Sequence, residues 1–338
     1  MRNRRFFSAI LALAALSAGL AAADPAVKPR PASAARTDSL SIDAAIPNYA
    51  PVPGVTGNLK SAGSNTMSNM MTRWADAFKK FYPAVKVEIE GKGSNTALTG
   101  LIAGTAQLGP MSRDMKKSEV DEFEKKFGYK PIALPTAVDA LAVLVHKDCP
   151  LTEISFDQIR AVFSVEGKDM TWGDLGIKDA AWAAQRVSLY GRDSASGTNL
   201  FFKEHALDKK DYKPTVKEQP GAGGVADAVG SDKFAMGYSG IGVKNANVKA
   251  LKVRKEKGDA AVTADAEHAY SGEYPLARYL YIYINAKPGT KLDPLRAEFI
   301  RLIYSKQGQE AVIADGFYPI KADAAREALK SVGIEPKF

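Results

Sequence analysis

Apolar residues at Met67, Met70, Met71, Trp74, Ala77, Phe78 and Phe81 follow the three-and-four spacing of one helix face, and Pro83 ends the run. Val85, Val87 and Ile89 then alternate with polar residues, the period of a strand, and another strand is predicted just upstream near Leu59. The same order returns at once. A turn over Gly91–Thr96 leads into a helix carrying Leu98, Leu101 and Ile102, closed by Gly104, and a short strand at Gln107-Leu108-Gly109 precedes a helix from Asp114 to Phe127. Strand, turn and helix in regular alternation predict an α/β chain with a parallel, doubly wound sheet.

Two longer apolar runs interrupt this rhythm, Val138 to Val145 and Tyr279 to Ile284. The stretch between them carries its own periodic segments at Phe156–Phe163, Arg186–Tyr190, Ser196–His205 and Phe234–Tyr238, and helices are expected again near 291–304, 307–314 and 322–332. A chain that leaves one lobe, builds a second and returns places residues 58–140 with 280–338 in lobe I and 141–279 in lobe II. Two lobes joined by two crossover strands enclose a cleft and allow hinge motion.

Composition changes the picture at the N-terminus. Arg2, Arg4 and Arg5 precede an apolar run from Phe6 to Leu20 and the small residues Ala21-Ala22-Ala23, which reads as a cleavable export signal over 1–23. Residues 24–57, rich in Ala, Pro and Ser, read as a mobile arm. The expected location is the periplasm. Removing the signal lowers the formal charge from +8 to +5, and the remaining cations are interspersed with acids. No basic stripe with interleaved aromatics marks a nucleic-acid surface. The single Cys149 and three histidines make a zinc site of the usual ligand set hard to build. Gly221-Ala222-Gly223-Gly224 lacks the preceding strand of a dinucleotide loop, and no Gly-x-Ser-x-Gly elbow is present. Neither a cofactor nor catalysis is expected.

Three segments share one chemical design: Gly63-Ser64-Asn65-Thr66, Gly93-Ser94-Asn95-Thr96 and Ser196-Gly197-Thr198. Each sets glycine and small hydroxyl or amide residues just ahead of a helix, where unpaired N–H groups and the helix dipole favour an anion. Such residues also serve as ordinary N-caps. The same Gly-Ser-Asn-Thr tetrapeptide recurring after 30 residues, both times between strand and helix, favours a shared ligand. Arg192, just before the third turn, offers a forked donor suited to a tetrahedral oxyanion. Its alternative is an exposed pair with Asp193.

In order and spacing, Gly63–Thr66, the Gly93-Ser94 turn, Gly109–Arg113 and Arg192–Thr198 resemble the ligand loops of the phosphate-binding proteins of phosphate ABC transporters, the PstS type. Leu151–Phe163 with Trp172-Gly173-Asp174-Leu175, and Tyr274-Pro275-Leu276-Ala277-Arg278, extend the likeness over about 59–320. The resemblance implies a type II periplasmic binding protein fold and a phosphate held between lobes by Asn65, Thr66 and Ser94 from one side and Arg192, Ser196, Gly197 and Thr198 from the other. It also implies delivery to the permease subunits of an ABC importer, with the binding protein a monomer. One departure matters. Many members carry an aspartate where this chain has Ser112, and that carboxylate accepts the proton that phosphate retains and sulfate lacks. Asp139 is the first substitute acceptor and Asp193 the second, while Ser112 itself offers a hydroxyl. Sulfate, molybdate or a phosphonate in the same fold, and phosphate sensing or scavenging, are the alternatives.

Overall fold

The computed structural model describes residues 40–243, 245–256 and 258–338. The expected signal over 1–23 lies outside them, as does the arm up to residue 39. From residue 40 onward the arm is not mobile as expected but packed down. Ile46, Tyr49 and Val55 are buried. The Tyr49 hydroxyl donates to Glu298 at 2.8 Å and lies 2.8 Å from the Tyr82 hydroxyl, and the Lys306 N–H donates to the Pro47 carbonyl at 2.7 Å. Three apolar anchors spaced irregularly through a Pro-rich stretch carry no period, so only their tertiary partners reveal that they are bound.

The first strand, Asn58–Ala62, pairs in parallel with Lys86–Glu90 across the helix Ser68–Phe81. That helix buries Met70, Met71, Trp74 and Phe78 as its spacing predicts. Trp74 also donates its indole N–H to the Gly308 carbonyl at 2.8 Å, which ties it to the C-terminal helices. The main sheet is mixed rather than all parallel. Its order is Gly109–Met111, Ala277–Ile284, Ile132–His146, Ala235–Gly240, Ser188–Arg192, Lys217–Gln219. Strands within the second lobe run parallel, Ser188–Arg192 against both Ala235–Gly240 and Lys217–Gln219, while those beside Ile132–His146 run antiparallel.

The strand Ile132–His146 begins six residues before the apolar run that predicts it. Its first part pairs with Ala277–Ile284 and its second with Ala235–Gly240, so one strand serves both lobes. Pro135 has no N–H for the ladder. The register shifts at Leu280/Tyr281 to accommodate it, and the Thr136 hydroxyl donates to the Leu280 carbonyl at 2.9 Å. Buried apolar side chains separate accordingly. One core runs from Val138 through Leu276 with Tyr318 added; the others draw on Tyr49–Ala137 and Leu280–Ile334. Cys149 is buried in the first of these, and burial pushes its thiol up.

Gly221-Ala222-Gly223-Gly224, which carries no helical signal, opens the helix Gly221–Ser231. Propensity opposes this. Packing decides it: Val225, Ala226 and Val229 are buried against the strand Ala235–Gly240. Their close approach needs a glycine opposite, since a Cβ on Gly237 would lie 2.8 Å from Val225 and 2.9 Å from Val229.

Candidate functional site

The repeated Gly-Ser-Asn-Thr turns stand at the ends of adjacent parallel strands, and their backbones touch: the Gly93 N–H donates to the Gly63 carbonyl at 2.8 Å. Neither turn spends its side chains on capping. The residue before helix Ser68–Phe81 is Met67, with no side-chain cap, and Ser94 before helix Asn95–Ala103 makes none either. The Thr66 and Ser94 hydroxyls are therefore available to other partners, whereas Thr96 donates to the Gly93 carbonyl at 2.9 Å. The third turn differs, because Ser196 does cap its helix by accepting from the Thr198 N–H at 3.2 Å.

The second lobe brings Arg192 to these turns. It ends the strand Ser188–Arg192 and is fully buried. Its Nη1 donates to the Thr66 hydroxyl at 3.1 Å and its Nη2 to Asn65 Oδ1, while its Nε has no partner among the described residues. The alternative, an exposed pair with Asp193, is not formed. Asp193 instead accepts from Asn65 Nδ2 at 3.2 Å and from the Ala195 N–H at 3.1 Å. Burial, with the nearby charge of Arg278, pulls the Arg192 guanidinium down to about 10 against the opposing pull of Asp193.

The hydroxyls converge. Thr66 and Thr198 lie 3.1 Å apart across the lobes, and Ser94 and Ser112 lie 3.3 Å apart within one, with the Ser112 N–H donating to Ser94 Oγ at 3.1 Å. Gly197 faces both serines at close quarters: a Cβ there would stand 2.3 Å from Ser94 Oγ and 2.8 Å from Ser112 Oγ. Gly93, at φ +113°, is likewise pressed on the other lobe, where a Cβ would meet the Ala195 carbonyl oxygen at 2.4 Å. Thr66, Ser94, Ser112, Asp139, Arg192, Ser196 and Thr198 are all buried. Arg113 serves as a brace. It grips Glu119 through two bonds of 2.7 Å and donates to Asn95 Oδ1 at 2.9 Å.

Asp139 stands one step back from the hydroxyls, joined to them by a residue that sequence reading did not single out. Arg278 donates to Asp139 Oδ2 through Nε at 3.0 Å and Nη2 at 2.7 Å, to the Ser112 carbonyl through Nη1 at 2.6 Å, and to the Thr198 hydroxyl at 2.8 Å. Its guanidinium also stacks on Phe201, 5.0 Å from the ring centre. Burial pulls its proton affinity down, and Asp139 opposes that pull. The signal for it was partly visible. Arg278 closes the motif Tyr274–Arg278 at the start of the return strand, but its register opposite Asp139 exists only in the folded sheet.

Comparison with known proteins sets this geometry in context. The PBP superfamily domain matches residues 48–307. The phosphate-binding protein PstS of Pseudomonas aeruginosa PAO1 is 47% identical over 300 residues, covering 87% of this chain and 93% of that protein. The chain belongs to the PstS family of phosphate-binding proteins. A more distant PstS from Staphylococcus haemolyticus is 27% identical over 259 residues, 75% of this chain and 79% of that one. An ABC-type phosphate transport receptor from Vibrio cholerae has the same fold as this chain at a TM-score of 0.62 and 21% identity, covering 78% of this chain and all of that one. A phosphate-binding protein from Stenotrophomonas maltophilia does so at 0.57 and 15%, over 81% and 93%. The architecture is that of a type II periplasmic binding protein, two α/β lobes joined by crossover strands. In this PstS chain both crossovers supply a buried charge, Asp139 from one and Arg278 from the other.

Proposed function

We propose that this chain captures inorganic phosphate between its lobes and passes it to the permease of an ABC importer in the inner membrane. The observation that carries the reading is Arg192: a buried guanidinium whose bonded partners are the neutral Thr66 and Asn65, with an unsatisfied Nε. A cation stripped of water whose hydrogen bonds go only to neutral groups, with Asp193 and Asp139 acting through their charge alone, calls for an anion. Asn65, Thr66, Ser94, Ser112, Ser196, Gly197 and Thr198 gather beside it hydroxyls, an amide and helix-start N–H groups, the donors a tetrahedral oxyanion needs. The PstS relatives are named for binding phosphate, and the likeness to the Pseudomonas aeruginosa protein spans 93% of its length.

On this reading the first lobe receives the anion at its two helix starts, and Arg192 with the Ser196 turn seals it from the other side. Closure is the state a permease recognises. No step of catalysis is involved; the binding protein acts as a monomer, exported to the periplasm by the segment over 1–23.

Isothermal titration of the exported, processed protein with phosphate tests the reading. Phosphate binds at one site per chain, and Arg192→Ala weakens it by at least about 100-fold, the worth of two charge-assisted hydrogen bonds. Unchanged affinity in that variant rejects the role of Arg192.

A further inference from the structure

Phosphate near neutral pH carries a proton and sulfate does not, so a site that selects phosphate needs a group able to accept that proton's hydrogen bond. Resting on the phosphate reading above, we propose that this acceptor is the hydroxyl of Ser112, with neither Asp139 nor Asp193 in the role.

Both carboxylates are already engaged. Asp139 Oδ2 takes two donors from Arg278, and Oδ1 takes the Ile241 N–H at 3.2 Å. The same carboxylate backs onto the second-lobe strand, with both oxygens 2.9 Å from where a Cβ on Gly240 would stand. Asp193 is held by the Ala195 N–H and by Asn65.

The hydroxyl pairs divide by electrostatics. Thr66 and Thr198 each accept from a guanidinium, Arg192 and Arg278, so the charged oxygens of the ligand belong on their side. The Ser94 and Ser112 hydroxyls take no bond from a guanidinium among the described residues, Arg278 reaching Ser112 only at its backbone carbonyl, which makes them the place for the protonated oxygen. Within that pair Ser94 already accepts the Ser112 N–H. If Ser94 donates to Ser112, Ser112 keeps one lone pair open; if Ser112 donates to Ser94, it keeps two. Ser94 retains one only in the first arrangement. With phosphate bound, the second arrangement closes a ring: the ligand's O–H donates to Ser112, Ser112 donates to Ser94, and Ser94 donates to a charged ligand oxygen.

Sulfate breaks that ring. To meet an unprotonated oxygen, Ser112 must turn its hydrogen to the ligand; Ser94 then donates to Ser112 instead of to the ligand, and three bonds become two. A hydroxyl can turn where a carboxylate cannot, so sulfate is disfavoured by about one hydrogen bond, roughly tenfold to a hundredfold, and is not excluded outright.

Titrating phosphate and sulfate into the unsubstituted protein, Ser112→Ala and Asp139→Asn tests this, with thermal melting to confirm folding. Ser112→Ala keeps the backbone N–H bond to Ser94 and removes the acceptor together with its hydroxyl bond to Ser94. The expected result is a phosphate-to-sulfate ratio of about 10 to 100 that falls to within about threefold of unity in Ser112→Ala, while Asp139→Asn leaves the ratio unchanged even if both affinities drop. An unchanged ratio in Ser112→Ala, or a collapsed one in Asp139→Asn, overturns the assignment and leaves the phosphate reading standing. Failure of the unsubstituted protein to bind either ion overturns both.

Discussion

A guanidinium held away from water forfeits hydration worth several kcal/mol unless neighbouring groups replace it. Arg192 and Arg278 answer this cost differently. Arg278 has Asp139 on its fork, whereas Arg192 bonds only neutral oxygens and its Nε has no partner among the described residues. The difference has a pH signature. With its proton affinity pulled down to about 10 by burial, free Arg192 loses its proton above that pH, whereas the anion complex needs it charged. Binding then requires uptake of a proton, so phosphate affinity is flat between about pH 8 and 9, where one ionic form of phosphate prevails, and falls about tenfold per unit above pH 10. Titrations at pH 8, 9, 10 and 11 measure the slope. A flat profile to pH 11 means that another group holds the charge. Arg192 was legible as a candidate from its place before the Ser196 turn; Arg278 was legible only as the end of the Tyr274–Arg278 motif, which does not by itself separate a hinge arginine from a surface one. What distinguishes it is the opposed register with Asp139, over 130 residues away along the chain.

The site's elements meet through glycines as much as through donors. Helix Gly197–His205 approaches the Ser94 and Ser112 hydroxyls so closely that one added methyl at Gly197 stands 2.3 Å from Ser94 Oγ. That clash acts across the lobes and falls on closure. Gly197→Ala is expected to lose at least about 100-fold in phosphate affinity while its melting temperature without ligand stays within a few degrees of the parent, since helix propensity favours alanine by about 1 kcal/mol. A variant that binds as the parent does shows that the loops need not come this close. The repeated tetrapeptide made the two first-lobe turns readable from sequence. That their side chains skip the capping role, leaving Thr66 and Ser94 to face the other lobe, was not readable, because a cap and a ligand donor call for the same residue types.

Across the whole molecule, the strand Ile132–His146 makes the lobes share one sheet. Unfolding either lobe strips half of that strand's partners, so the lobes are expected to unfold together. Trp172 and Trp182 report on one core and Trp74 on the other. In Trp74→Phe, urea unfolding followed by tryptophan fluorescence and by far-ultraviolet circular dichroism should superimpose; a fluorescence transition separate from the backbone signal means that the lobes are independent. Phosphate at 100 times its dissociation constant should add about 2.7 kcal/mol and move both probes together. The sequence by itself determined the alternation of strands and helices, the two apolar crossovers and the three anion-suited turns, because each is written in local periodicity or local residue chemistry. Only the tertiary structure decided that residues 40–57 pack down, that a glycine-rich segment is a helix, and that Arg278 and Asp139 meet behind the hydroxyls. Those outcomes depend on what lies opposite in space, and burial, register and close approach have no period along a chain.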